Sequence, residues 1–301
     1  MYEQIARNKW RSILLVFLVL LLAVGLGYVF GRLFEAGPFG IVLALVIAAV
    51  MSWSSYRYGD RLVLRVSRAR PTSREEYPRY HNIVEGLSIA AGIPQPALYV
   101  IPEKAPNAFA TGRDPEHASV AVTEGLLETL NRVELEGVLA HELAHVRNRD
   151  ILVGTLVATL VGVVALLADW MLRAFFWGGF RGRRGGRDGG AGPAAIIAVV
   201  GLVLAVLAPL FAQLIRFAVS RRRELLADAD GALISRYPPG LASALRKIAA
   251  STEPLRAANN ATAHLWFSQP SRTAGSGWTR WERLFATHPP IEERIKALEE
   301  M

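Results

Sequence analysis

Residues 133–150 read VELEGVLAHELAHVRNRD. Apolar residues recur there at three- and four-residue spacing, the period of an α-helix with one buried face. Asn131, followed three residues on by Glu134, has the form of a capping box, so a helix is predicted to open there and run through Asp150. His141 and His145 lie four residues apart and share a helical face, where both imidazoles can reach one ion. Glu142, about a third of a turn from His141, can hold a water beside that ion and act as its general base. The chain has only six histidines. Two of them bracketing a glutamate inside the apolar GVLAHELAHV is far more specific than two histidines on a solvated face.

There is no cysteine, so disulfides and thiolate ligands are excluded and any metal takes His, Asp or Glu. A catalytic zinc holds three protein ligands and leaves a position for water. Candidates for the third are Glu224, Asp228, His264 and His288. Glu224 is preferred because its helical stretch, 220–235 (SRRRELLADADGALIS), emerges directly from one apolar run just as the HELAH helix enters another. If those runs pack as an antiparallel hairpin, the two ends are neighbours. A salt bridge to the flanking Arg221, Arg222 and Arg223 is the competing reading. Asp228, one turn on, could accept the free N–H of a ligand histidine from a second shell of contacts.

Of the 301 residues 52% are hydrophobic, and the mean hydropathy of +0.27 is too high for an ordinary soluble domain. Four apolar runs, at 12–31, 39–56, 151–172 and 194–217, are long enough to span a bilayer as helices. A cleaved signal peptide is the alternative for the first, but the run is too long and a second follows at once. A buried hairpin is the alternative for the later pair. Arg7, Lys9 and Arg11 precede the first run, and Arg57, Arg61, Arg65, Arg68 and Arg70 follow the second. The positive-inside rule then places the N-terminus and the polar parts in the cytoplasm. Arg173, Arg181, Arg183, Arg184 and Arg187, between the later runs, resist that rule. Either the later pair is a shallow hairpin or the glycine-rich loop at 178–193 escapes the rule.

The expected fold class is α+β, mostly α. It comprises a transmembrane helix pair over 1–58, a first polar part with the HELAH helix over 59–150, a second transmembrane pair over 151–218, and a second polar part with the third ligand over 219–301. Strands are expected at 97–101, 107–112 and 118–122, forming a small antiparallel sheet. Helices are expected at 77–91, 124–130, 220–235, 241–250 (after a break at 238–240) and 291–300. Residues 107–112 (NAFATG) could be an edge strand that pairs with an extended substrate through Asn107, Phe109 and Ala110; an ordinary core strand competes. His264 and His288 are candidates to steady an oxyanion, against structural roles. Arg294 is expected in a surface or packing salt bridge. Trp278 and Trp281 are candidate substrate or membrane-interface contacts.

Taken together, HELAHVRNRD, SRRRELLADADGA, NAFATG and LFATHPPIEERI resemble the HtpX-type membrane zinc metalloproteases, relatives of the CAAX prenyl endopeptidases, over nearly the whole chain. The resemblance implies a gluzincin-like peptidase domain with one Zn2+ on His141, His145 and Glu224 and Glu142 as base. It also implies a role in protein quality control and stress response at the cytoplasmic side of a prokaryotic cell membrane. The arginine- and glycine-rich loop after Trp177 departs from the family pattern. The leading expectation is a zinc endopeptidase acting on membrane or misfolded polypeptides. A selective processing peptidase ranks lower, since four spans are few for a prenyl-protein chamber. A non-catalytic membrane scaffold would not need Glu142. The net charge of +8 also suits nucleic acid, but no recognition motif accompanies it, so no nucleic-acid partner is expected. Cobalt or manganese could occupy the same ligands as zinc.

Overall fold

The computed structural model describes residues 38–159, 221–258, 262–268 and 289–301, with positions 6, 10, 12–18, 21, 24 and 28. The expected spans beyond residue 159, the 178–193 loop, Trp278, Trp281 and His288 lie outside the described residues.

Helix α1 covers Pro38–Val66, ten residues beyond the expected end of the second apolar run. It continues because its last turns pass from an exposed apolar surface into a core. Val42, Val46, Val50 and Trp53 are exposed, whereas Val63 and Leu64 are buried with Ile101, Phe109, Ala121 and Trp266. Within it, Ile41–Val66 is long and apolar enough to cross a membrane, the one such helix among the described residues.

Four strands follow: β1 (Arg70–Pro71), β2 (Ala97–Ile101), β3 (Ala108–Gly112) and β4 (Ala118–Thr123), in the order β1-β2-β4-β3. The sheet is mixed, not antiparallel as expected: β2 runs parallel to β4, and β3 antiparallel to β4. The reason is that β4 inserts between β2 and β3. Residues 102–107 therefore step across two strand spacings, roughly 10 Å, and are held by Gly125 N–H donating to the Glu103 carbonyl at 3.0 Å. Both faces of the sheet are covered. Ala108, Ala110, Val120 and Val122 face the helical core, while Phe109 and Ala121 face α1. An alternation in which both sets are apolar is what two-sided burial requires.

On the helical side, α2 (Pro78–Ala91) stops at Gly92 in the left-handed conformation, and a short α3 (Glu124–Thr129) leads to α4 (Arg132–Arg147). Both arms of the capping box on α4 form, Asn131 with Glu134. The helix ends before Asp150, because Arg149 takes φ 58° and the chain restarts as α5 (Asp150–Thr159). Helices α6 (Arg221–Ser235), α7 (Pro238–Ala250) and α8 (Ile291–Glu299) complete the described fold. The break expected at 238–240 falls at 236–237 instead. Residues 238–240 form the first turn of α7, where a proline lacks only an N–H that has no helical partner.

Leu135, Leu139 and Leu143 of α4 are fully buried, each stabilising the fold by roughly 1.5–3 kcal/mol. Two glycines set the spacing of the helices around them. A Cβ on Gly137 would come within 2.6 Å of the Leu241 nitrogen, and one on Gly231 within 2.9 Å of the His141 nitrogen. Helix α4 thus touches α7 and α6 backbone to backbone.

Candidate metal centre and active site

Helix α4 presents His141, Glu142 and His145 toward α6, which presents Glu224. The Nε2 atoms of His141 and His145 are 3.1 Å apart. Glu224 Oε2 is 3.8 Å from the first and Oε1 3.6 Å from the second. Three donors bound tetrahedrally to one zinc at the usual bond lengths would be about 3.3–3.6 Å apart, so these three could hold one metal ion.

Tautomer chemistry points the same way. The Nδ1 of His141 donates to Asp228 at 2.8 Å, and that of His145 to Asp150 at 3.0 Å. Each imidazole thereby turns the lone pair of its Nε2 toward the other. Two lone pairs at 3.1 Å repel unless positive charge lies with them, so the cluster accommodates one cation or one proton. Burial holds the His141 imidazole down, to about 4, against the pull of Asp228. Burial acts on His145 in the same direction but is outweighed by the hydrogen bond to Asp150 and the charge of Glu224, which raise it to about 9.

Glu142 is buried beside these groups. Burial raises its carboxyl to about 7; His145 opposes that rise, Glu224 adds to it, and Arg294 and the Ala110 backbone N–H oppose it. A cleft of about 50 Å³ joins the four residues to Ala110, His264 and Phe267.

Behind His141 stands Asp228, fully buried and gripped by Arg294. Arg294 Nε donates to one carboxylate oxygen at 2.8 Å and Nη2 to the other at 2.7 Å. The guanidinium also caps the Phe267 ring, 4.7 Å from its centre. Burial would raise the Asp228 carboxyl, but Arg294 and His141 hold it down to about 2.

The family model "Peptidase family M48" matches residues 74–301. The chain belongs to peptidase family M48. Among its M48-type relatives, a "Protease HtpX homolog" of Thermoanaerobacter pseudethanolicus is 48% identical over all of this chain and 98% of its own. One from Thermococcus sibiricus is 45% identical over 95% and 93%. A crystal structure of S. mikatae Ste24p matches with a TM-score of 0.51 at 19% identity, over 99% of this chain and 67% of that one. That likeness concerns the fold alone.

The other residues singled out in the sequence of this M48 chain fall at varied places. Asn107 is buried and fully engaged. Its amide donates to the Ser268 carbonyl at 2.8 Å and its Oδ1 accepts from Ala108 and Ser268 N–H. It ties β3 to the 262–268 segment. Phe109 lies in the second core, edge-on to Trp266 at 4.9 Å. Ala110 lines the cleft on β3, which is an edge strand. On the open side of that edge, the Ala108 carbonyl accepts from Phe267 N–H and the Gly112 N–H donates to Thr155. Ala110, between them, faces the Glu142 carboxylate. His264 also lines the cleft, with Nε2 donating to the Gly154 carbonyl at 3.2 Å. Of the two readings of Arg294 the packing one holds, since it is only 1% exposed. Sequence reasoning missed the contact of Asp150 with His145. The signal available was an acidic residue just past the end of the motif helix.

Proposed function

We propose that this M48 peptidase is a zinc-dependent endopeptidase embedded in a cell membrane, cleaving membrane or misfolded polypeptides at a cytoplasmic catalytic domain, in protein quality control and stress response. The reading is carried by the convergence of His141, His145 and Glu224 beside a buried Glu142. The donor set of two imidazoles and a carboxylate fits zinc, one ion per chain. When bound, the ion supplies Lewis acidity toward a carbonyl and a water.

The remaining roles belong to the chain's own residues. Glu142, with a carboxyl near neutrality, takes the proton of the attacking water and returns it to the leaving amine. Asp228 and Asp150 hold the two imidazoles in the tautomer that presents Nε2. The edge of β3 at Ala110 aligns an extended peptide beside the cleft. His264 and His288 remain candidates to meet the oxyanion.

The proposed layout keeps helix pairs at 1–58 and 151–218 in the bilayer and the catalytic parts, 59–150 and 219–301, together on one side. The exposed apolar face of α1 followed by Arg57, Arg61 and Arg65 supports that orientation. The test is cleavage of an unfolded model protein by detergent-purified wild type and Glu142→Gln at matched zinc content. Loss of roughly 10²–10⁴-fold in rate is expected for the variant, with complete loss on chelation. Wild-type rates in Glu142→Gln would overturn the mechanism. Zinc binding without cleavage of any unfolded substrate would favour selective processing or a scaffold.

A further inference from the structure

A second concavity, of about 440 Å³, runs along one face of α1 and is closed on one side by Thr159 of α5. Its chemistry changes in order along the helix. Val50 and Met51 line one end, Ser54 and Tyr58 the middle, and Arg61 and Arg65, with Leu62 between them, the other end. From Val50 to Arg65 the helix rises about 22 Å, close to the depth of one bilayer leaflet including its headgroups. The second wall is set by contact between the helices. Ser55 and Thr159 share a hydrogen bond, and a Cβ on Gly59 would meet Thr155 at 2.9 Å. Neither Arg61 nor Arg65 has a carboxylate partner among the described residues; Arg61 instead lies 5.7 Å from the Tyr58 ring centre.

We propose that this groove binds one anionic phospholipid of the cytoplasmic leaflet. Its acyl chain lies over Val50 and Met51, its glycerol esters beside Ser54 and Tyr58, and its phosphate between Arg61 and Arg65. The sequence apolar, hydroxyl, cation matches the order of groups in such a lipid, and the two guanidinium groups supply the charge complementarity. The inference rests on α1 crossing the bilayer, as proposed above.

The test uses the full chain in mild detergent, offered phosphatidylglycerol and phosphatidylcholine with the same acyl chains, with bound lipid counted by native mass spectrometry. Wild type should retain one phosphatidylglycerol with a preference on the order of tenfold. Arg61→Gln with Arg65→Gln should abolish that preference, and Met51→Trp should weaken both lipids by blocking the apolar end. Arg68→Gln with Arg132→Gln, which removes the same charge outside the groove, should preserve it. Unchanged zinc content and unchanged cleavage of a soluble unfolded protein establish that the variants are folded. Equal binding of the two lipids by wild type overturns the proposal, as does equal damage from both arginine pairs. A photo-crosslinker at Ser54 that captures another part of the chain or a peptide substrate, and no lipid, also overturns it. Alkaline carbonate extraction separates the two failures. A chain released from membranes defeats the membrane assignment, whereas a retained chain without lipid preference defeats only this inference.

Discussion

His141 and His145 carry the same side chain on the same face of α4, and the protein backs them differently. His141 is 1% exposed; its carboxylate partner, Asp228, is wholly buried and doubly bonded to a buried Arg294. His145 is 15% exposed, and its partner Asp150 is 11% exposed, with Arg223 at 3.4 Å. One half is sealed by α6 and α8; the other opens on the junction between α4 and the apolar α5. Their charges differ as well: burial keeps His141 down against Asp228, whereas at His145 the Asp150 hydrogen bond and the charge of Glu224 outweigh burial. The sealed imidazole stays neutral, and the open one takes up whatever positive charge the cluster holds. A rigid inner wall and an accessible outer wall therefore come from two nearly identical histidine–carboxylate pairs, distinguished only by what lies behind the carboxylate.

Breaking the sealed half should have the largest effect. Arg294→Met leaves the Asp228 carboxylate buried without its partner and should cost about 3–5 kcal/mol of stability, read from denaturant melts. A loss under about 1 kcal/mol would mean that the two halves are not different in kind. Chelation comes next: with zinc held about 100-fold above its dissociation constant, removing it should lower stability by about 2.7 kcal/mol. Hydrogen exchange should then accelerate around 145–150 while α8 stays protected; equal acceleration in both would erase the contrast. Asp150→Asn should weaken zinc binding about 10–100-fold, with a change in melting temperature much smaller than that of Arg294→Met. An unchanged affinity in a zinc titration would show that the open half needs no backing carboxylate.

The smallest effect belongs to a contact on α4 remote from both halves. Glu134 closes the capping box and accepts from Lys247 at 2.8 Å and Ser243 at 2.7 Å. Burial would raise its carboxyl, but these hydrogen bonds hold it below the ordinary carboxylate value. A depressed folded value means stabilisation at neutral pH that fades as pH falls through it. Glu134→Ala should thus cost about 1 kcal/mol at pH 7. The gap in melting temperature from wild type should shrink below about pH 4.5. A gap that is constant with pH would assign the effect to the cap alone.

Local signals were the legible ones. The capping box at Asn131 and Glu134, the stop at Gly92 and the strand at 97–101 depend on neighbours in sequence and stand where the pattern puts them. So does the one-face placement of His141 and His145. What depends on distant partners was not legible. The insertion of β4 between β2 and β3 leaves no mark in the strands themselves, and β1 is two residues long with a proline, too short to alternate. Arg294 sits in IEERIKALEE, a stretch that reads as a solvated amphipathic helix until Asp228 and Phe267 meet it from elsewhere in the chain. Asp150 was hidden differently. The expected helix ran straight through it, whereas the left-handed Arg149 turns the chain and returns its carboxylate to His145.

The contact at Gly231 works as a fixed ruler. With the α6 backbone seated against the nitrogen of His141, the offset between the strand of chain that bears the histidines and the one that bears Glu224 is set by the hard radii of main-chain atoms. Side-chain volumes elsewhere in the core can drift without altering it. The dimension on which an ion's fit depends most is thereby removed from the reach of most substitutions, and any residue larger than glycine at this one position recalibrates it.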